Sequence, residues 1–230
     1  MSASRPHAHD MRSGSSILSD RVKAAGRAVL APVVRLAMWL RLTPNEVTVG
    51  GFVIVLAAAA LVAVGQLLAG AALLLTGSLM DAVDGALARA TGGTSAFGSF
   101  LDSTLDRAAE AIVYGGIVAH YLRVSTDPIG PVLLALAALA GSFMVSYTRA
   151  KAEGIGLNAS VGLAPRPERL ALIVAGIALA GIGFDIGLVW AIAIIALLAV
   201  ATTLQRIWHV RRLVEAQGRA TIGAESSREN

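Results

Sequence analysis

From Val47 through Met80 the chain carries no charged residue, and apolar side chains fill nearly every position. At about 1.5 Å per helical residue, such a run is too long for one crossing of a hydrocarbon core roughly 30 Å thick, so it divides into two spans. The break falls at Gly65-Gln66, a glycine beside the most polar side chain of the stretch. Further apolar runs predict spans over about 95–119, 129–148, 170–183 and 186–204, six in all. The fifth is short when counted from Leu170, which draws Pro167 to Arg169 into its first turns, with the proline at or near N1. Ahead of the spans, Leu18, Val22, Ala25, Val29, Val33, Leu36 and Leu40 recur at spacings of three and four, with Arg21, Lys23, Arg27 and Arg35 between them. That pattern predicts an interfacial amphipathic helix over 17–41, kinked at Pro32, serving as a surface anchor or as a platform beside a cytoplasmic site.

The fold class expected is therefore an all-α integral membrane protein, a six-transmembrane-helix bundle over 42–212 preceded by the amphipathic helix. Residues 1–16 are polar, with no continuous apolar run of the kind a cleaved signal needs, and are expected to be a disordered tail. Residues 213–230 are read the same way. No repeat of solenoid type and no second soluble domain is evident.

Composition sharpens this reading. Charged residues make up 15% of the chain and hydrophobic ones 56%, against about a quarter charged in a soluble domain, and the mean hydropathy is +0.70. The absence of cysteine excludes a disulfide framework, a thiolate zinc site and a cysteine nucleophile. A net charge of +4 would raise nucleic-acid binding in a soluble protein. Here the basic residues flank the apolar runs, and no aromatic residues interleave with them, so nucleic acid is set aside as a partner. With both termini cytoplasmic, only Arg123 falls in a loop on the far side, while Arg107 lies inside the third span. The reverse orientation inverts the positive-inside bias, so the cytoplasmic face of the plasma membrane is the expected side for both termini and for the chemistry.

That chemistry is carried by MDAVDGALARATGGTSAFGSFLDSTLDR. Asp81 and Asp84 stand three apart at the end of the second span, and Asp102 and Asp106 four apart near the start of the third, so each pair shares a helix face. A turn at Gly92-Gly93 is expected to make the two helices antiparallel neighbours, with the pairs facing each other. A single carboxylate at a membrane edge is commonly just solvated. Four together are not, because each costs roughly 2.5–3.5 kcal/mol within a span and the like charges repel. Hard oxygen ligands call for Mg²⁺ or Mn²⁺, and four carboxylates suit two ions. Two such ions beside a membrane imply phosphoryl or pyrophosphate chemistry. A divalent-cation transporter is the non-enzyme alternative, but the outer halves of the spans, such as 53–64 and 171–180, supply no polar path.

The pattern Asp81-x2-Asp84-Gly85-x2-Ala88-Arg89-x8-Gly98-x3-Asp102-x3-Asp106 resembles the complete signature of the CDP-alcohol phosphotransferases, with eight fixed positions over 26 residues matched. The six spans, the preceding amphipathic helix and the cytoplasmic motif are similar to that family too, so the resemblance covers about 17–212. It implies that Asp81, Asp84 and Asp102 are metal ligands, and that Asp106 both approaches a metal and acts as general base. It implies that Gly85, Ala88, Arg89 and Gly98 line a cytidine nucleotide site, with Asn45 and Thr48, next to Pro44, at its entry. A Pro-Asn pair is also an ordinary helix-start signal. The implied reaction takes CDP-diacylglycerol, transfers its phosphatidyl group to an alcohol and releases CMP, and the family resemblance implies a homodimer.

Arg149, Lys151, Arg166, Arg169 and Arg206 flank the same side, and five cations favour a phosphorylated acceptor, because guanidinium forks match phosphate oxygens. Ser146-Tyr147-Thr148-Arg149-Ala150-Lys151-Ala152-Glu153 and Arg166-Pro167-Glu168-Arg169 resemble stretches of the subgroup that transfers onto inositol phosphate, forming phosphatidylinositol phosphate. Glycerol 3-phosphate, giving phosphatidylglycerol phosphate, is the rival acceptor. His7, His9, His120 and His209 are read as solvated or interfacial, Trp39, Trp190 and Trp208 as interfacial anchors, Asp185 as a helix-start residue, and Glu110 as a partner for Arg107.

Overall fold

The computed structural model describes residues 30–93, 95–163 and 165–226, with side chains as far as Gln217. The tail over 1–16 and the amphipathic helix up to Val29 lie outside the described residues, with Arg21, Lys23 and Arg27. Every regular element described is helical: α1 (Leu30–Trp39), α2 (Pro44–Ala63), α3 (Leu67–Thr91), α4 (Ala96–Val124), α5 (Ile129–Gly154), α6 (Arg166–Gly181) and α7 (Ile186–Ser226).

Local chemistry fixes the helix ends. Thr43 caps α2 with Glu46 in a reciprocal capping box: the Glu46 backbone N–H donates to the Thr43 hydroxyl at 3.3 Å, and the Thr43 N–H donates to the Glu46 carboxylate at 2.7 Å. Asn45 is thus not the cap, and its side chain is available elsewhere. The break expected at Gly65-Gln66 is present, with Gly65 at φ 87° between α2 and α3. Helix α3 ends at Gly92 in the left-handed conformation, φ 66°, where a side chain is disfavoured. Ser95 caps α4 by accepting from the Gly98 N–H at 2.9 Å, and Pro167 sits in the first turn of α6 as expected.

Among the described residues four helices are long and apolar enough to cross a membrane: α2, α3, α5 and the Ile186–Gln217 portion of α7. This is the make-up of an integral membrane protein. Helix α4 carries Asp102, Asp106, Arg107 and Glu110 in its first half, and α6 has only 16 residues, so neither qualifies on composition and length alone. The bundle packs α2 on α3 and α4, α7 on α5 and α6, with α3 against α6 and α4 against α5. Small residues let backbones close up: a Cβ at Gly116 would stand 2.6 Å from the Ala59 carbonyl oxygen, and one at Gly141 2.8 Å from the Ala199 Cβ. Leu67, Leu74, Val113, Ile117, Ile177, Leu188, Ile192 and Ile195 fill the core. Outward-facing Leu133, Trp190 and Leu197 are exposed, as a lipid-facing surface requires.

Two expectations are corrected. Helices α3 and α4 are not close neighbours; each packs along α2 instead, which leaves space between the two carboxylate pairs. In α1 Val34 and Ala37 are buried with Val47, Val83 and Leu87 on α2 and α3, while Val33 and Leu36, with Leu40 just past the helix, are exposed; Pro32 lies in the first turn of the described helix. The polar tail expected from 213 continues α7 as helix to Ser226. Leu213 packs against Ala152, Leu157 and Ala159, and Arg211 pairs with Glu215 at 2.7 Å, so this stretch has both a docked face and an i,i+4 ion pair.

Candidate active site

The spacing of the four carboxylates does bring them to one place. Asp84 and Asp106 each feel the charges of Asp81 and Asp102, across a gap between α3 and α4 held open by α2. Asp84 is buried, and the Thr48 hydroxyl of α2 donates to its Oδ2 at 2.6 Å. Helix α2 therefore reaches into the site through the residue pattern that follows its cap.

One open cleft of about 620 Å³ lies between the cap of α2, the end of α3 and the start of α4. Asn45, Thr48, Gly85, Ala88, Arg89 and Gly98 all line it, with Asp84 and Asp102 at its inner side. The space beside the two glycines differs. A Cβ at Gly98 would meet the Ser95 Oγ at 3.0 Å and the Asn45 Oδ1 at 3.1 Å, and one at Gly85 would stand 3.4 Å from an Arg89 guanidinium nitrogen. Pro44, Gly93, Ser95 and Ser99 complete the wall. Ser95 and Ser99 escaped the sequence reading; their only signal was a serine ahead of a new helical run.

Positive charge sits where the carboxylates demand it. Arg166, from the first turn of α6, spans two helices: one guanidinium nitrogen lies 3.0 Å from Asp81 Oδ2 and the other 2.6 Å from Asp106 Oδ1. Among the described residues no three Asp, Glu or His groups are drawn together as a ready cation cage. Instead, carboxylates of α3 and α4 share a guanidinium. That donor set, oxygen-only and already bridged by a cation, fits a hard divalent ion.

The remaining cations are distributed more widely than expected. Arg169 is buried one turn deeper on α6, at 3.3 Å from Glu110. Arg206 is buried too, and donates to the Val161 carbonyl at 2.8 Å and to the Val145 carbonyl, tying the α5–α6 loop to α7. Arg149 is exposed and pairs with Glu153 at 2.8 Å, and Lys151 is exposed on the same helix. Arg206 nevertheless feels the charges of Arg149 and Arg169, so these three form one electropositive zone. Glu110 also lies 4.0 Å from Arg107, the partner expected for it.

The family profile described as CDP-alcohol phosphatidyltransferase matches residues 41–204. The chain is 39% identical to the archaetidylinositol phosphate synthase of Methanothermobacter thermautotrophicus over 78% of this chain and 91% of that protein. It is 36% identical to the phosphatidylinositol phosphate synthase of Mycolicibacterium smegmatis, over 82% and 86% respectively. Its fold is similar to the crystal structure of Mycobacterium tuberculosis phosphatidylinositol phosphate synthase with CDP-DAG bound, at a TM-score of 0.73 and 32% identity, covering 80% of this chain and 94% of that one. The same synthase has been crystallised with manganese and citrate, and that structure is equally similar, at a TM-score of 0.73. A profile matched over residues 41–204 and relatives aligned over most of their length lead to one conclusion: this chain is an enzyme of the CDP-alcohol phosphatidyltransferase family.

Proposed function

We propose that the protein transfers the phosphatidyl group of CDP-diacylglycerol to a hydroxyl of inositol phosphate, releasing CMP and forming phosphatidylinositol phosphate. The observation that carries this is the junction of two differently built regions. A cleft lined by Asn45, Gly85, Ala88 and Gly98 meets the carboxylates on one side, and Arg166 meets the same carboxylates on the other. A cytidine diphosphate fits the first, with small residues where a flat base or a pyrophosphate approaches backbone. A phosphorylated alcohol fits the second, where guanidinium groups can fork onto its phosphate. The names of the relatives favour inositol phosphate over glycerol 3-phosphate.

Asp81, Asp84, Asp102 and Asp106 would hold Mg²⁺ or Mn²⁺, two ions, whose charge offsets that of the pyrophosphate and of the group being displaced. The chain's own residues do the rest. Asn45, Thr48, Arg89 and the small residues of the cleft orient the nucleotide, and Thr48 holds the Asp84 carboxylate in place. Arg166, with the zone around Arg149, Lys151, Arg169 and Arg206, draws in and orients the acceptor phosphate. The acceptor oxygen bonds to the lipid-attached phosphorus, the bond from that phosphorus to the CMP oxygen breaks, and the acceptor proton passes to Asp106.

In this reading α4 and α6 complete six spans, and the amphipathic helix ending in α1 lies at the interface. The domain runs over 42–212, with both termini and the cleft on the cytoplasmic side, and the enzyme works as a homodimer. The test is CMP release by the purified protein with CDP-diacylglycerol and Mg²⁺, offering inositol phosphate, inositol, glycerol 3-phosphate or serine in separate reactions. Release with inositol phosphate alone is expected; release with glycerol 3-phosphate instead would change the product and overturn the acceptor assignment.

A further inference from the structure

Glu110 stands one helical turn beyond Asp106 on α4, largely buried, and the transfer chemistry makes no use of it. Its carboxylate accepts from Arg169 of α6 at 3.3 Å and lies 4.0 Å from Arg107 of its own helix. Arg107 in turn donates to the Ser146 hydroxyl of α5 and lies 3.6 Å from Asp106. A single carboxylate thus gathers groups from α4 and α6 beneath the site.

What makes this more than a local pairing is how little else joins those two helices. Helix α6 packs against α3 and α7, not along α4. Between α4 and α6 lies a small, mostly apolar pocket, walled by Leu74, Val113 and Ile173 and bordered by Glu110, Arg166 and Arg169. The deeper turns of α6 are seated on α3 and α7, where Gly176 meets Ala191 and Gly181 meets Leu68. Its first turn reaches α4 through two ion pairs among the described residues: Arg169 to Glu110, and Arg166 to Asp106. Arg166 and Arg169 are three apart and share a helix face, so the deeper, more buried pair fixes where the shallower guanidinium stands.

We infer that Glu110 is a positioning residue for the acceptor step: by holding Arg169 across the α4–α6 gap, it places Arg166 at the carboxylates, where the acceptor phosphate is bound. This rests on the acceptor-phosphate reading of Arg166 given above. A guanidinium fork recognises phosphate only in a defined orientation, so a shift of the first turn of α6 costs acceptor binding before it costs anything at the cleft of α2, α3 and the start of α4, to whose lining α6 contributes no residue.

The experiment measures KM for inositol phosphate and for CDP-diacylglycerol, with Mg²⁺ saturating, in the full-length enzyme and in Glu110→Gln, Glu110→Asp, Arg166→Ala and the Glu110→Gln/Arg166→Ala double variant. Glu110→Gln is expected to raise the acceptor KM by about tenfold or more while that of CDP-diacylglycerol changes little. Glu110→Asp, which keeps the charge, is expected to restore part of the loss. In the double variant the acceptor KM should stay where Arg166→Ala alone puts it, since a residue acting through Arg166 has nothing left to position. Should the neutral variant not fold, Glu110→Asp alone and combined with Arg166→Ala carries the same test, because it keeps the charge but stands one methylene short of Arg169. Equal rises for both substrates, or losses that multiply in the double variant, overturn the positioning role. An unchanged acceptor KM in Arg166→Ala itself overturns instead the acceptor reading on which the inference stands.

Discussion

Gly98 shows how much a single position decides in this site. An added Cβ would stand 3.0 Å from the Ser95 hydroxyl that caps α4 and 3.1 Å from the Asn45 amide oxygen that lines the cleft, so both would have to give by a few tenths of an ångström. Gly98→Ala is therefore expected to raise KM for CDP-diacylglycerol several-fold and leave that of the acceptor nearly unchanged, a split read directly from initial rates at varied concentrations of each substrate. Asp106 stands at the other extreme, where volume is irrelevant and charge is everything. Asp106→Asn preserves size but removes the proposed base and one carboxylate charge, and turnover should fall below detection in the CMP-release assay while the protein still elutes as a folded species in detergent. Near-normal turnover would take Asp106 out of the reaction. The carboxylate pairs are legible in sequence because spacings of three and four share a helix face; Asp84, Gly85, Ala88, Arg89, Gly98 and Asp102 line one cleft, while Asp81 and Asp106 meet Arg166. Arg169 and Arg206 show where such reading stops. Flanking charge looks alike whether it faces solvent or the interior, and only the fold reveals that one meets buried Glu110 and the other meets two backbone carbonyls.

At the scale of elements, apolar run length and the glycine breaks gave the helix order well, because desolvated backbone in lipid must be helical and glycine marks where it is not. Packing was harder to read. The carboxylate pairs suggested that α3 and α4 lie side by side, whereas both lean on α2, and no periodicity in α3 or α4 could have shown that. The end of α7 was misread for a related reason. Residues from Leu213 onward look like a polar tail in isolation, but they belong to a helix already nucleated by its apolar portion, and one face docks on the α5–α6 loop. The capping box of α2 is the element-level feature with the clearest consequence, since the turn it fixes carries Pro44 and Asn45 into the cleft. Thr43→Ala removes the side-chain acceptor for the Glu46 N–H. A loss of about 1 kcal/mol is expected for such a change, visible as a lowered unfolding temperature in detergent, and accompanied by weaker CDP-diacylglycerol binding. A Tm shift with nucleotide affinity intact would separate the cap from the cleft.

For the whole molecule, the placement of charge makes a topology that can be tested without disturbing the enzyme. The cleft, the first turn of α6 and the α5–α6 loop lie at one end of the bundle, and the α4–α5 loop, with Asp127, lies at the other. Basic residues crowd the first end, Arg149, Lys151, Arg166 and Arg169 among them, and only Arg123 lies near the second. Lysine and arginine are retained on the cytoplasmic side during insertion, so the cleft should open where CMP and inositol phosphate are soluble. Because the chain contains no cysteine, any single engineered thiol is unique. Asn158→Cys on the α5–α6 loop and Thr126→Cys on the α4–α5 loop are both exposed positions outside the helices. In intact cells a membrane-impermeant maleimide should label Thr126→Cys and spare Asn158→Cys until the membrane is opened. The reverse pattern would turn the enzyme over in the membrane and place its carboxylates away from the cytosolic pool of nucleotide. Labelling of both in sealed cells would mean that α5 does not cross at all. Since α5 is one of the four helices that qualify as spans on length and apolarity alone, that outcome would dismantle the bundle on which the site is built.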